Sequence, residues 1–147
     1  MTFQSEPGII RWKLHLGSQP EAVCHQLSTD EGRAAFWAES AIEHDGVIHF
    51  IFPDQAEWRG RILEQVPPHK FVVEYYGGSI STIELISDGG RGTDLILIDR
   101  GVSSEDRPEV TAGWVSVLLA LKASVDFNVD LRNHDGQRSW DDGFAEN

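Results

Sequence analysis

The sequence predicts an α+β fold in which a curved, seven-stranded antiparallel sheet wraps around one long C-terminal helix, with two short helices after the first strand. Six strand-like segments between residues 38 and 101 are joined by short turns, which force neighbouring strands to run antiparallel. Another strand-like segment precedes two capping motifs near the N-terminus. The long helical pattern runs from Pro108 to Asn128, and a curled sheet is an economical way to bury one apolar helix.

The long helical segment combines an apolar stripe with an unusually uncharged opposite face. Pro108 suits the first turn, where its missing N–H group costs no hydrogen bond. Lys122 and Asp126 are the only charged residues along one flank, so we expect another part of the protein to cover this side. Ser116 and these two residues interrupt the run before it reaches the roughly 20 apolar residues of a membrane span. The stripe consists of Val110, Trp114, Val117, Leu118, Leu121 and Val125.

The N-terminal part begins with a half-buried strand and continues with two short helices. From residue 10 to 16, apolar residues alternate with basic ones, the period of a strand with one buried face. The segment 18–21 (Ser-Gln-Pro-Glu) has the pattern of a capping box and predicts that a helix begins there. The segment 28–31 (Ser-Thr-Asp-Glu) repeats this pattern and predicts a second helix that extends through Phe36 and Trp37.

Turn signals divide the central region into strands. Asp45-Gly46 is a strong hairpin signal, and Pro67-Pro68 and Gly77-Gly78 mark later turns. The glycine-rich segment 88–92 joins two strands, so it lacks the helix start that a phosphate-binding loop needs. The predicted strands cover residues 38–44, 47–53, 55–66, 70–76, 79–87 and 93–101.

The C-terminal tail, residues 129–147, is polar but carries Leu131, Trp140 and Phe144. We expect this tail to fold back onto the second face of the long helix. Alternatively, a partner subunit covers this face. The chain is accordingly predicted to be one domain, 1–147, with a core over 9–128. The helix residues that the tail would cover are Leu119, Ala123 and Phe127.

Composition and charge narrow the function classes. Apolar residues make up 40% of the chain and charged residues 24%, which is ordinary for a soluble domain. The formal net charge of −12 argues against nucleic acid and against an anionic membrane as partners. The single cysteine, Cys24, lies on the apolar face of the first helix and predicts an inert thiol in a reducing compartment. Because the N-terminal segment lacks the pattern of a signal peptide, we expect a cytoplasmic protein.

Strand alternation assigns one set of residues to the side of the sheet that faces the long helix. Gly60 lies in the middle of a strand on this side, between Trp58 and Ile62. A glycine there either bends the sheet or leaves room for a ligand, so a filled core and an apolar pocket both remain open. The inward set is Trp12, Ile48, Phe50, Trp58, Phe71, Val73, Tyr75, Leu95 and Leu97, opposite Trp114, Val117, Leu118 and Leu121.

Few polar residues point toward this interior. Asp99 and Glu64 have the inward parity, but each lies near a strand end, where we expect a solvated rim position. If either were buried, its carboxyl pKa would rise and it could orient a ligand or act as an acid. Tyr75 could offer a hydroxyl group inside the pocket. The six histidines form no cluster and no serine- or cysteine-centred motif occurs, so we predict no catalytic residue, metal or cofactor.

Several short motifs along residues 9–128 form an ordered set. They are Pro20-Glu21-Ala22-Val23, the segment 27–32 with Phe36-Trp37, the segment 60–64 before Pro67-Pro68, Gly92-Thr93, and Gly113-Trp114 with Leu118 and Leu121. In this order they resemble the family of activator of heat-shock-protein-ninety ATPase homologue-like proteins, within the START-like (birch-pollen-allergen-like, SRPBCC) superfamily. Many relatives carry a histidine shortly before the Gly-Trp pair, where this chain has Val110 and Thr111.

The resemblance implies a helix-grip fold with a cavity between the sheet and the long helix. It also implies a hydrophobic or amphipathic small-molecule ligand, such as a lipid, an aromatic or a polyketide-like compound. The predicted ligand-binding residues are the inward set and the facing helix residues given above, together with Phe36, Trp37, Gly60 and Asp99. The leading prediction is a non-catalytic binding protein, monomeric or homodimeric. The alternatives are an enzyme of the polyketide cyclase or dehydratase type and a module that regulates the chaperone.

Overall fold

A computed structural model describes residues 4–147 and confirms the predicted fold class. Seven strands form an antiparallel sheet in the order β1-β7-β6-β5-β4-β3-β2. The helices are α1 (Pro20–Ser28), α2 (Asp30–Ala34) and the long α3 (Arg107–Phe127). The strands are β1 (Ile9–Leu16), β2 (Ser40–His44), β3 (Val47–Ile51), β4 (Glu57–Val66), β5 (Lys70–Glu74), β6 (Ile80–Ser87) and β7 (Thr93–Arg100).

The sheet order follows from short hairpins and one long crossover. Helices α1 and α2 carry the chain from β1 at one edge to β2 at the other, and each later strand pairs with the one before it. Strand β7 then lies beside β1, with Trp12 opposite Leu97. The inward side chains of the sheet pack around α3, whose Trp114, Leu118 and Leu121 are buried.

The two short helices begin and end differently from the sequence prediction. Gln19, not Ser18, is the N-terminal cap of α1, and it makes no side-chain capping bond. Ser18 instead donates to Asp126 Oδ1 at 2.7 Å, so a contact with α3 replaces the predicted capping box. Thr29, not Ser28, caps α2, accepting from the Gly32 N–H at 3.0 Å, because Ser28 is the last residue of α1. Helix α2 ends at Ala34, before Trp37, because the chain turns there to bury the indole.

Helix α3 is fixed to β1 at both ends of its length. Near its start, the Trp12 indole N–H donates to the Thr111 carbonyl at 3.2 Å. Near its end, Lys122 Nζ donates to the His15 carbonyl at 2.6 Å, and Asp126 Oδ2 accepts from the Gly17 N–H at 2.9 Å. These contacts explain the two isolated charges of the helix. By length and composition α3 could cross a membrane, but here it is the central packing element of the domain.

Gly60 allows a close approach between β4 and β5 rather than leaving an open space. A Cβ atom at Gly60 would lie 2.1 Å from the Glu74 carbonyl oxygen. The register of the two strands shifts between Ile62 and Glu64, close to this contact. A glycine is therefore required by the neighbouring backbone, so Gly60 does not leave the room for a ligand that was one of its two expected roles.

Candidate ligand-binding cavity

A cavity of about 450 Å³ lies between the first half of α3, the β3–β4 turn and the C-terminal tail. Its size falls within the range of small-molecule sites in proteins. Apolar and aromatic side chains make up most of its walls. The lining residues are Phe36, Trp37, Phe52, Asp54, Ala56, Glu57, Trp58, Tyr75, Tyr76, Glu109, Val110, Gly113, Trp114, Ser116, Val117, Ala120, Arg132, Trp140, Asp141 and Asn147.

Trp37, Tyr75 and Trp114 form the aromatic base of the cavity. Their ring centroids lie 5.2–6.0 Å apart in tilted arrangements, which are favourable for aromatic pairs. The Trp37 indole N–H donates to Tyr75 Oη at 2.9 Å. This bond fixes the tyrosine hydroxyl group and joins the α2–β2 connection to the end of β5.

The Tyr75 hydroxyl group remains protonated and can donate a hydrogen bond. Burial raises the pKa of Tyr75 far above its ordinary value, the Trp37 bond opposes this, and the charge of Asp99 adds to it. Because Tyr75 Oη already accepts from Trp37, its own proton is left to donate. Within residues 4–147 no acceptor receives this proton.

Trp58 contributes a second hydrogen-bond donor without a partner. Its ring stacks on Phe52 at 4.3 Å and meets the edges of Tyr75 and Tyr76 at 5.5 and 5.2 Å. The indole Nε1 is buried and has no hydrogen-bond partner among the described residues. A buried donor left unpaired costs free energy, so an acceptor supplied by a bound molecule would stabilise this site.

Asp99 is fully buried, in contrast to the rim position expected from its place near a strand end. Its Oδ2 accepts from the Trp114 indole at 2.9 Å, and its Oδ1 accepts from Ser81 Oγ at 3.1 Å. The reason is the pairing of β7 with both β1 and β6, which places Asp99 in the interior of the sheet under α3. Asp99 does not line the cavity itself but supports Trp114, which does. Glu64 is exposed, as expected, and lies 3.2 Å from Lys70 Nζ.

The C-terminal tail forms one wall of the cavity. Arg132 holds it in place, because its guanidinium donates to the carbonyls of Ala38 and Ala34 at 2.7 Å each and also pairs with Asp130. Farther along, the Ala145 carbonyl accepts from Ser116 Oγ of α3 at 2.6 Å. The tail therefore crosses from the end of α3 to the α2–β2 connection and back to the middle of α3.

A histidine bridge adds to the attachment of the tail. His134 Nδ1 lies 2.7 Å from Glu39 Oε2, and its Nε2 lies 2.6 Å from Asp130 Oδ2. Hydrogen bonds to Glu39 and then to Asp130 raise the pKa of His134. Partial burial opposes the shift at Asp130, yet the hydrogen bonds from Arg132 and His134 hold the pKa of that carboxyl well below its ordinary value.

The tail takes a different path from the one expected, and it leaves part of α3 uncovered. Leu119 is 49% exposed and Phe127 is 67% exposed, whereas Ala123 between them is buried, so this face is not covered along its whole length. Its Trp140 lines the cavity instead. The hydrogen bonds of Arg132 with the α2–β2 connection direct the tail away from this face.

The comparisons with known proteins fit this architecture. The sequence matches the model of the family described as Activator of Hsp90 ATPase homolog 1-like protein over residues 18–126. That match covers well over half of the chain. The chain belongs to this family. This membership confirms the resemblance of the ordered motifs, while a comparison with curated proteins found no match.

Several solved structures share the fold of this member of the family of Activator of Hsp90 ATPase homolog 1-like proteins, although their sequence identity to it is low. Protein SSP2350 from Staphylococcus saprophyticus aligns with a TM-score of 0.73 at 21% identity, over 84% of this chain and 96% of that one. The Aha1 dimer from Colwellia psychrerythraea aligns with a TM-score of 0.73 at 16% identity, over 81% and 96%. DynU16, from the dynemicin biosynthetic locus, aligns with a TM-score of 0.72 at 13% identity, over 85% and 49%.

In this family member the predicted ligand-binding residues fall into two places. One group lines the cavity: Phe36, Trp37, Trp58, Tyr75, Trp114 and Val117. The other group lies outside its lining, mostly in the filled core: Trp12, Ile48, Phe50, Gly60, Phe71, Val73, Leu95, Leu97, Asp99, Leu118 and Leu121. The middle of the sheet is thus packed, and the open space lies toward the β3–β4 turn.

The residues that sequence reasoning missed come from the turn, the outer flank of α3 and the tail. Asp54 lies in the β3–β4 turn, where strand alternation gives no signal, and Glu57 begins β4 with the outward parity. Gly113 was visible only as part of a motif. Trp140, together with Leu131 and Phe144, indicated that the polar tail would make apolar contacts, but not that Trp140 would line a cavity.

Proposed function

We propose that this family member binds a hydrophobic or amphipathic small molecule in the cavity between α3, the β3–β4 turn and the tail. The observation that carries the proposal is a largely aromatic cavity of about 450 Å³ with an unpaired, buried donor at Trp58 Nε1. Burial of apolar ligand surface would supply the affinity, at roughly 25 cal/mol per Å² before the costs of association.

The polar groups of the cavity would orient the ligand. The Trp58 N–H and the Tyr75 O–H are two donors on residues that line the same space and whose rings lie 5.5 Å apart. A ligand with an acceptor oxygen, such as a carbonyl or ether group, would satisfy one or both of them. An aromatic or polyketide-like compound offers such oxygens together with a flat apolar body, which fits the aromatic walls.

The first experiment is native mass spectrometry of the freshly purified protein, followed by solvent extraction of any bound compound. Titration with the neutral probe naphthalen-2-ylmethanol, followed by calorimetry, then measures binding directly. We expect a bound apolar compound or a saturable association with the probe. A protein that carries no compound and does not bind the probe would contradict the proposed function.

A pair of variants tests whether the probe binds in the cavity. A Cβ atom at Gly113 would meet no other atom within 4 Å, so Gly113→Leu extends a side chain into open space without a clash at its base. Leucine is a strong helix former, so we expect the fold to persist and the affinity for the probe to fall. Ala112→Leu is the matched control, because Ala112 is exposed and does not line the cavity. Equal affinity in both variants would place the binding elsewhere.

We also propose that the uncovered face of α3 mediates a homodimer. Leu119 and Phe127 are exposed, and Val129 and Leu131, which follow the helix in the chain, are also about half exposed. An apolar surface of this kind is typical of a protein contact, and the Colwellia psychrerythraea relative was solved as a dimer. In sedimentation experiments, we expect Phe127→Glu to weaken association, whereas Ile86→Glu, at an exposed site on β6, should not. A wild-type protein that stays monomeric at about 0.1 mM would contradict the dimer.

A further inference from the structure

Acidic side chains surround the cavity that we propose as the ligand site. Four carboxylates belong to its lining, and they come from three separate parts of the chain: the β3–β4 region, the first turn of α3 and the tail. They are Asp54, Glu57, Glu109 and Asp141. The protein as a whole has a formal net charge of −12, so distant residues do not reverse this local excess.

Little positive charge is available to balance these carboxylates. Arg132 is the one basic residue of the lining, and its guanidinium already donates to two backbone carbonyls and pairs with Asp130, which lies outside the lining. Glu57 pairs with His49 at 2.8 Å. Glu109 and Asp141 have no cationic partner within residues 4–147.

We infer that the cavity selects a cationic aromatic ligand, such as an arylalkyl ammonium compound, and discriminates against an anionic one. This inference rests on the proposed function and specifies the class of ligand. Two effects act in the same direction. The carboxylates create a negative potential that low-dielectric walls concentrate in the cavity. Tryptophan and tyrosine faces attract organic cations through their ring quadrupoles, which is how aromatic cages bind ammonium groups.

The negative potential and the ring quadrupoles would both weaken the binding of an anionic ligand. Its carboxylate could accept from Trp58 or Tyr75, but it would lie in the field of four acidic side chains with the only local arginine already engaged. A neutral ligand would gain the hydrogen bonds without this repulsion. The expected order of affinity therefore places the cation above the anion, and the neutral compound serves as the reference for binding without charge.

Three probes with the same naphthalene body test this order by calorimetry near neutral pH. They are naphthalen-2-ylmethylammonium, naphthalen-2-ylmethanol and naphthalene-2-carboxylate. We expect the ammonium probe to bind at least about tenfold more tightly than the carboxylate, the scale of one cation–π contact plus screened attraction. Added salt should reduce this ratio, because ions screen the charges at the solvated mouth.

Charge-neutralising variants show whether the acidic lining is the cause. Glu109→Gln combined with Asp141→Asn should lower the ratio of ammonium to carboxylate affinity by about threefold or more, and a change in affinity common to both probes cancels in this ratio. The control is Asp45→Asn combined with Glu84→Gln, which removes the same charge at the β2–β3 turn and on β6, outside the cavity lining. The control should leave the ratio as it is in the wild type.

The outcomes separate this inference from the function on which it rests. If the neutral probe binds and the carboxylate binds as tightly as the ammonium probe, or more tightly, the charge preference is overturned and the binding function stands. A ratio that falls equally in the cavity variant and in the control would also overturn it. If none of the three probes binds, both the inference and the proposed function are overturned.

Discussion

The Trp114 indole donates a 2.9 Å hydrogen bond to Oδ2 of Asp99, and both residues are almost completely buried. Ser81 Oγ donates to the other carboxylate oxygen at 3.1 Å. This pair joins α3 to β7 through the core, and it orients an indole whose ring lines the cavity. A polar contact of this kind fixes the rotation of the helix more strictly than apolar packing alone, because its geometry is directional.

Replacement of Asp99 by alanine should destabilise the protein strongly. The variant leaves the Trp114 N–H and the Ser81 hydroxyl group buried without partners and opens a small cavity between them. We expect the free energy of unfolding to fall by about 3 kcal/mol, measured by urea denaturation. Asp94→Ala is the matched control on the same strand, because Asp94 is exposed. A loss no larger than that of the control would show that the buried pair is not important for stability.

Trp37 and Trp58, two of the tryptophans that line the cavity, should respond differently to the loss of the indole nitrogen. Trp58→Phe removes an N–H that has no partner within residues 4–147, so we expect unchanged or slightly higher stability of the free protein and weaker binding of a ligand with an acceptor oxygen. Trp37→Phe removes the bond to Tyr75 and should lower the free energy of unfolding by about 1 kcal/mol. Thermal denaturation and calorimetry check both effects. A clear loss of stability in Trp58→Phe would mean that its N–H has a partner in solution.

Loss of the Arg132 side chain should release the C-terminal tail. Arg132→Gln removes the donors for the Ala34 and Ala38 carbonyls and leaves Asp130 with His134 as its remaining partner. Because hydrogen bonds from a charged group are comparatively strong, we expect a loss of about 2 kcal/mol and faster proteolysis within residues 136–147. Arg138→Gln is the control in the same tail, since among the described residues the Arg138 side chain pairs with the nearby Asp135 alone. Equal proteolysis of both variants would argue against Arg132 as the attachment.

Attachment of the tail should weaken as the pH rises. Both ring nitrogens of His134 face carboxylates, so both can donate only when the imidazole is protonated. Its pKa is raised above the ordinary 6.5, which means that its contribution to stability is complete below that value and is lost as the pH rises through the folded-state pKa.

The measurement for this prediction compares the wild type with His134→Gln at about pH 5.5 and at about pH 8.5. We expect the two proteins to differ more in unfolding free energy at the lower pH, with the difference shrinking at the higher one. His25→Gln, at an exposed position on α1, is the control for a general effect of histidine loss. A difference that does not depend on pH would contradict an ionic bridge at His134.

Element order and fold class were predictable because they depend on local patterns. Alternation marks strands, turn residues mark their ends, and a 3.6-residue period marks α3, all of which act over a few positions. The predicted bounds differ from the observed ones by only a few residues, as in the strand predicted over 70–76 and observed at Lys70–Glu74. The ordered motifs added the family, which the match over residues 18–126 confirms.

The position of the cavity was not predictable from the same patterns. Alternation assigns residues to the inward side but does not say where inward residues touch and where they leave space. Ile48 and Phe50 are completely buried, and the space beside Gly60 is occupied by the Glu74 backbone. The opening lies instead where the β3–β4 turn and the tail meet α3, and these are segments without a regular period.

By itself, the sequence determined the strands, the helices, their antiparallel order and the acidic balance, because each of these is encoded in neighbouring residues or in composition. The tertiary structure decided which polar groups are buried together and which surfaces remain open. Asp99 was expected at the rim, but β1, β6 and α3 surround it in the fold. Arg132 attaches the tail because the fold brings it next to the carbonyls of Ala34 and Ala38. Burial and hydrogen bonding between distant segments depend on packing in three dimensions, which no local pattern records.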